Sequence, residues 1–538
     1  MGGITLITLT IILFAFGYKY YGSFLSKILK IDNVNETPSH KMYDGVDYVP
    51  AKVPVLLGHH FASIAGAGPI VGPIIAASFG WVPVYIWILI GSLFIGGVHD
   101  YLSIVASIRH KSKSIGQIIE AYIGISGKRL FLLFAWATLI LVIAVFTIIV
   151  SDTFNAIPSA GTSSALFILI AVAFGLTVYR LNTPLLISSI LGILLLAVCI
   201  YLGHLFPLQL SKDIWTWILV VYIFIASVTP VWVLLQPRDY LNSFFLYAIM
   251  AGGIVGLIFT GPEINLAAYT SFKIDKLGFL FPVLFVTVAC GAISGFHSIV
   301  GSGTTAKQLD KESDAKVIGY GGMLIEGLLA VLALLSVAAL DQEHFIKLLS
   351  TKGPVAAFSI GVAKFMNNIP FLGISVELGS SFAALAVSAF ALTSLDTATR
   401  LARYTFQEFF ETGDNAKSNP LATNRFIATA ISIFFGASLA LSGQSLTIWP
   451  VFGSANQLLA AIALLALTVW ISKLKLNFIF TFIPMIFMFS VTLTALGTLI
   501  YLNIIAANIS LAVISVLLFG LAITLAVQAS KVLRGVEK

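Results

Sequence analysis

Two histidines stand side by side in an otherwise apolar run, Gly58-His59-His60-Phe61-Ala62-Ser63-Ile64-Ala65-Gly66-Ala67-Gly68-Pro69. An imidazole changes charge near neutral pH, so it suits proton transfer. Neighbours on a helix point about 100° apart, so only one of His59 and His60 need face a given site. His297 lies in a second such run, Ser294-Gly295-Phe296-His297-Ser298-Ile299-Val300-Gly301-Ser302-Gly303-Thr304-Thr305. Glu326 interrupts the apolar stretch Val317–Leu340, where a carboxylate is costly unless paired or near water. His59, His60, His297, Ser298, Thr304, Thr305 and Glu326 are therefore the candidates for handling a cation. The imidazoles suit a proton, and the hydroxyls with backbone carbonyls suit a sodium ion. Both choices stay open, with three histidines favouring the proton.

These residues sit where helices should break. Pro69 lacks a donor and disfavours helix at Gly68, so unwinding is expected over Ser63–Gly68. The half-helix that starts near Pro69 would aim free N–H groups at an anion. Ser63, Ala65, Gly66, Ala67 and Gly68 form that expected seat, with Ser227 and Thr229 as partners. A second break is expected mid-span at Thr229-Pro230, within residues 226–237, and a third within residues 291–305. Arg238 with Asp239, and Asp396 with Arg400, read as ion pairs at inner helix ends. Asp396 and Arg400 have the i,i+4 spacing of helix neighbours. A gating role is possible for these four, and a structural one is favoured. Asp100 is expected near the end of its span, paired with His99 or a loop lysine. Asn456 and Gln457 are expected to bond between helices.

The elements that must hold these groups are dictated by composition. The 538 residues are 59% hydrophobic and 10% charged, and the mean hydropathy is +1.01. A soluble domain carries about a quarter charged residues, so the expected fold is an all-α polytopic membrane bundle. Runs of roughly 20 apolar residues recur and give about 15 spans, with a short extra stretch at Pro354–Phe365. The net charge of +7 is spread over short loops, which sets orientation and does not suggest nucleic-acid binding. Basic residues crowd the segments that face inward if the N-terminus is outside and the C-terminus cytoplasmic. Cys199 and Cys290 both lie in apolar runs, so neither a disulfide framework nor a metal cluster is expected. No cleavable leader is evident, and Ile4–Phe16 reads as the first span. Residues 1–50 read as a peripheral helix and cytoplasmic loop. Residues 51–365 read as the transport core, and 366–538 as remaining core with C-terminal peripheral helices. The first two breaks are five spans apart, so their helices cross in opposite directions. Paired broken helices in inverted repeats are the pattern of secondary transporters. In the LeuT-like version the eighth core helix, here the His297 span, packs against the first.

Six ordered stretches then carry a resemblance. They are Gly58–Pro73, Gln236–Leu241, Ser294–Leu309, Gly319–Gly327, Thr393–Tyr404 and Trp449–Ala461. With these the chain resembles the carbon starvation protein A family of bacterial inner-membrane transporters. The resemblance implies uptake of small nutrients under carbon limitation, with peptides the usual substrate class and proton-coupled pyruvate carriers among relatives. It also implies the amino acid–polyamine–organocation superfamily and a LeuT-like core. The chain is shorter than long members, and His99 stands where those are expected to carry glutamine. The expected function is a secondary active transporter for peptides or pyruvate-like monocarboxylates, coupled to H+ or, alternatively, Na+. A channel is the less favoured alternative. An enzyme is not expected, since HExxH, GxSxG and Walker A patterns are absent. No cofactor is expected beyond the coupling ion, and the oligomeric state is open.

Overall fold

A computed structural model describes residues 2–533 apart from 46–47, 182, 231–232, 275–276, 371, 412–418 and 443–444. Its long helices follow the apolar runs. In chain order they are α1 (Gly3–Ile28), α2 (Val53–Ile64), α3 (Gly68–Ala76), α4 (Trp81–Arg109), α5 (Ile125–Ala156), α6 (Pro158–Arg180) and α7 (Leu185–Leu205). Then come α8 (Lys212–Val228), α9 (Leu235–Thr260), α10 (Leu280–Thr287), α11 (Gly295–Gly303), α12 (Lys316–Ala338) and α13 (Gln342–Asn367). The chain ends with α14 (Val376–Phe410), α15 (Arg425–Ala440), α16 (Ile448–Lys473), α17 (Ile479–Ile505) and α18 (Ile509–Leu533).

Among the described residues, 12 helices are long and apolar enough to cross a membrane, or up to 13 if the α2–α3 pair is one span. This corrects the expectation of about 15. Three of the expected spans prove too short alone: α8, α15 and the α10–α11 segment, which is broken in two. In the other direction, Pro354–Phe365 belongs to the full-length α13, which bends at Gly353, where φ is 78°. Positive φ suits glycine, which has no Cβ to clash.

Burial sorts the helices into layers. α16 is enclosed by protein along its whole span, and α5, α12 and α14 are mostly enclosed. α7 and α18 instead expose rows of Leu, Ile and Val. Helices that are apolar all round belong inside a bundle, and the exposed apolar faces belong to lipid.

Two broken spans lie at the centre. α2 and α3 meet at a 46° bend across Ala65–Ala67. α10 passes through a tight turn at Ala289–Gly291 and extended Ser294 into α11. α10 lies against α3, and α11 lies against α2. The two broken spans therefore run antiparallel, break beside break, and the His297 span packs on the His59 span as expected. Small residues permit this approach. Gly68 faces the Cys290 sulfur, and a Cβ at Gly72 would strike the Thr287 carbonyl. Gly72→Ala should thus lower stability by about 1–3 kcal/mol. The control is Gly497→Ala, whose added Cβ meets nothing within 4 Å and which should be neutral or stabilising. Thermal melts of the two purified variants read this directly. Equal melting of Gly72→Ala and wild type would refute the close approach.

The break expected mid-span at Thr229-Pro230 is elsewhere. α8 ends at Val228 and α9 starts anew at Leu235, so Thr229-Pro230 joins two separate helices. Residues 231–232 of that joint lie outside the described residues.

Candidate functional site

Each break leaves backbone groups that protein must satisfy inside a membrane. At the first, Ala65 N–H donates to Phe61 O at 2.9 Å and Gly66 N–H to Ile64 O at 2.9 Å. The Ser63 carbonyl accepts from Ser394 Oγ at 3.2 Å. Two of the N–H groups expected to seat an anion are therefore already used. Ser227 bonds Thr429 at 3.2 Å, and Thr229 Oγ1 donates to Ile225 O at 2.7 Å. Neither of these bonds involves Ala65–Gly68. At the second break a side chain from α16 replaces the missing helical partner. Phe296 N–H donates to Asn456 Oδ1 at 2.9 Å, and Asn456 Nδ2 donates to Ser294 Oγ at 3.0 Å. Gln457 Nε2 donates to Phe285 O at 3.3 Å. Both amides are interhelical, as expected.

Beside the second break lies a buried ionisable cluster. His297 on α11 turns Nδ1 to Asp100 Oδ2 at 2.8 Å and Nε2 to Glu326 Oε2 at 3.4 Å. The other Asp100 oxygen meets His99 Nδ1 at 2.7 Å. His297 and Glu326 are 0% exposed and Asp100 is 1% exposed. Three elements supply the three groups: α4, α11 and α12. Both ring nitrogens of His297 thus face carboxylates. A neutral imidazole donates from only one nitrogen, whereas an imidazolium donates from both. Neither Glu326 oxygen has a hydrogen-bond partner, so this edge is the one a proton would tighten. Asp100 lies well inside α4, not near its end, because that helix continues to Arg109. Its tie to His297 spans 197 residues and has no local sequence signal.

His60 and His59 divide as adjacent helix residues must. His60 Nδ1 meets Thr305 Oγ1 at 2.8 Å, while its Nε2 is buried without a partner. Ser298 Oγ and Thr304 Oγ1 instead donate to carbonyls within their own segment, Gly295 O and Val300 O. Thr305 thus bonds the first broken span through His60, and Thr304 lines a cavity together with His59. Cys290 brings a thiol nearby, and one ligand atom each from Cys290, His297 and Glu326 lies within 4.8 Å of the others. The three groups are close enough to share a proton or to hold a cation.

A second charged network ties α2, α8, α9 and α14 together. Arg238 pairs with Asp396, and Tyr222 Oη donates to the same Asp396 oxygen at 2.7 Å. Arg238 Nη2 also meets Asp239 Oδ1 at 3.0 Å, and His59 Nδ1 lies 3.4 Å from Asp239 Oδ2. The expected Asp396–Arg400 pair does not form. Arg400 Nη2 donates instead to Ala226 O at 2.8 Å and Thr229 O at 2.5 Å. It thereby caps the C-terminal end of α8, whose last carbonyls lack helical donors. Helical spacing permits the local pair, but Arg238 from another helix takes the carboxylate. Tyr222 was not foreseen, since a tyrosine in an apolar run gives no signal of its partner.

Two cavities adjoin this network. One of about 390 Å³ is lined by residues of α5, α11 and α14 and by the segment after α4. A smaller one of about 40 Å³ is lined by His59, Thr304, Thr397 and Arg400 among others. They share Gly303, Lys307, Leu401 and Tyr404.

An all-helical membrane bundle with antiparallel broken spans around buried charge is built to move a solute, and the molecule is a membrane transporter, not an enzyme. The model of the family described as carbon starvation protein CstA matches residues 2–352 and 346–495, and the chain belongs to that family. A peptide transporter CstA of Bacillus subtilis (strain 168) is 32% identical over 99% of this chain and 97% of its own length. The pyruvate/proton symporter BtsT of Escherichia coli (strain K12) is 30% identical over 89% of this chain and 79% of its own. Among solved structures, a manganese transporter of Eremococcus coleocola aligns with TM-score 0.50 at 14% identity, covering 91% of this chain and 99% of that one. At that identity the likeness speaks for the fold alone.

Proposed function

We propose that the chain is a secondary active transporter that takes up peptides or pyruvate-like monocarboxylates, coupled to protons by alternating access. The observation that carries this is His297 held between Asp100 and Glu326 on three elements beside the paired breaks. A group wedged between two carboxylates from different helices senses any shift of α11 relative to α4 or α12. Protonation then favours the arrangement in which all three meet, and deprotonation favours their separation. Movement between two packed arrangements and proton binding thus bias one another. The antiparallel packing of α2–α3 and α10–α11 supports a LeuT-like inverted-repeat core. His60 and Thr305 join the two broken spans and belong to the coupling path. Arg238, Asp239 and Asp396 act as a clasp between α9 and α14.

Sodium coupling in the same fold is the second reading. The hydroxyl oxygens of Ser298 and Thr304 keep lone pairs for such an ion, because their protons go to backbone carbonyls. The two carboxylates around His297 instead favour the proton. A channel is disfavoured because this is one asymmetric bundle. The location is the bacterial inner membrane, with the N-terminus outside and the C-terminus cytoplasmic, from the distribution of basic residues.

The test is uptake of labelled pyruvate and of a labelled dipeptide into proteoliposomes, with pH and sodium gradients imposed separately. Uptake should follow the inward proton gradient and collapse with a protonophore. Uptake that follows only sodium, or that ignores both gradients, would overturn the proton reading.

A further inference from the structure

We infer that the small cavity at Arg400 is a carboxylate-binding subsite, with Arg400 as its principal ligand. Arg400 is 5% exposed. One of its nitrogens is spent on two neutral carbonyls, and its Nε has no partner. Among the described residues no carboxylate lies within 4.0 Å of its nitrogens, because Asp396 is taken by Arg238 and Tyr222. Arg403 is equally buried, also lacks an acidic partner among the described residues, and stacks on Tyr404 at 4.5 Å. The Lys307 ammonium, which lines both cavities, sits between the Tyr48 and Tyr404 rings at 5.5 and 5.9 Å.

Arg400 and Lys307 thus both line the small cavity, and no carboxylate is among its described lining residues. Burying an uncompensated charge is strongly unfavourable, so an anion entering this cavity would be held by Arg400. The planar guanidinium fork matches a carboxylate in two parallel hydrogen bonds, and the Thr304 and Thr397 hydroxyls line the same space. A volume of about 40 Å³ holds about three water-sized groups, which is a carboxylate and the carbon next to it. The remainder of the molecule extends into the adjoining 390 Å³ cavity. Glu408 and Glu411 line only that larger cavity, which offers counter-charge to the ammonium of a peptide. The ligand class is a small carboxylate, whether a free monocarboxylate or the C-terminal group of a short peptide.

The inference rests on the transporter reading only in taking the bound carboxylate as cargo, so its test uses no gradient. Titration calorimetry on the protein in nanodiscs compares pyruvate with pyruvamide, and Ala-Ala with its C-terminal amide. Acids should bind at least about tenfold more tightly than their amides. Arg400→Gln should remove that preference, and Lys307→Gln should weaken it in part. Preference for only one of the two acids identifies the source. Amides binding as tightly as acids, acid affinity within about twofold of wild type in Arg400→Gln, or no acid binding at all would overturn the subsite. If Arg400→Gln fails to fold, phenylglyoxal labelling of the wild type at Arg400 should be slowed by the acid and not by the amide. Equal labelling with both overturns it too. A protein that passes these tests but ignores a proton gradient refutes the coupling reading and leaves the subsite standing.

Discussion

His297→Ala should reduce proton-driven uptake to the rate of protein-free vesicles, and Glu326→Gln should do so while sparing exchange. The two variants fail for different reasons. Among the described residues His297 alone pairs with both Asp100 and Glu326, so its loss leaves Asp100 with His99 only and Glu326 with no partner. Buried acids without a cation repel and must be neutralised or moved apart, which disables the cycle as a whole. Glu326→Gln keeps the shape and can still accept a hydrogen bond from His297. It removes the charge that makes a proton on that edge worth holding. Such a variant should still swap labelled for unlabelled substrate across the membrane, because exchange requires no net proton movement. Counterflow and gradient-driven uptake, measured on the same vesicles, separate these outcomes. Full proton-driven uptake by Glu326→Gln would remove Glu326 from the coupling path. Full uptake by His297→Ala would remove the cluster.

Much of this arrangement was legible in the chain before any coordinates. Composition demanded a helical membrane bundle, and Gly66-Ala67-Gly68-Pro69 announced a broken span where α2 and α3 meet. His297 and Glu326 stood out because polar groups at membrane depth need a reason. What sequence could not supply was partnership. Asp396 and Arg400 satisfy a local rule, yet Asp396 pairs with Arg238, 158 residues away. Asp100 looked like a helix-end residue and is instead the anchor of His297. The Thr229-Pro230 dipeptide misled for a related reason. Proline marks where a helix stops but not whether that point is mid-membrane, which depends on how far the flanking helices run. The hydroxyls after His297 illustrate the same limit. Their spacing does not say that Ser298 and Thr304 donate back to their own helical turns while Thr305 bonds His60.

Arg238→Leu should destabilise the protein by about 3–5 kcal/mol, the cost of stripping the partner from a buried charge. The charge count around Arg238 makes the case. Its guanidinium serves both Asp239 and Asp396, and all three side chains are at most 2% exposed. Without it, among the described residues, Asp396 keeps only the Tyr222 hydroxyl, and Asp239 keeps only His59 at 3.4 Å. Arg238→Lys should recover part of the loss, since an ammonium restores charge but not the fork that reaches two carboxylates and a phenol at once. Arg238→Leu with Asp396→Leu should recover more, because the unpaired Asp396 charge is then gone and Asp239 keeps His59. The two substitutions must therefore be strongly non-additive, as for residues in one network. The Arg238→Leu deficit should also shrink as pH falls, because protonated acids bury without a cation. Thermal melts of five proteins across pH, with Asp396→Leu alone completing the cycle, read all of this together. Additive losses, or an Arg238→Leu protein that melts with the wild type, would mean that the clasp between α9 and α14 is not held by this ion network.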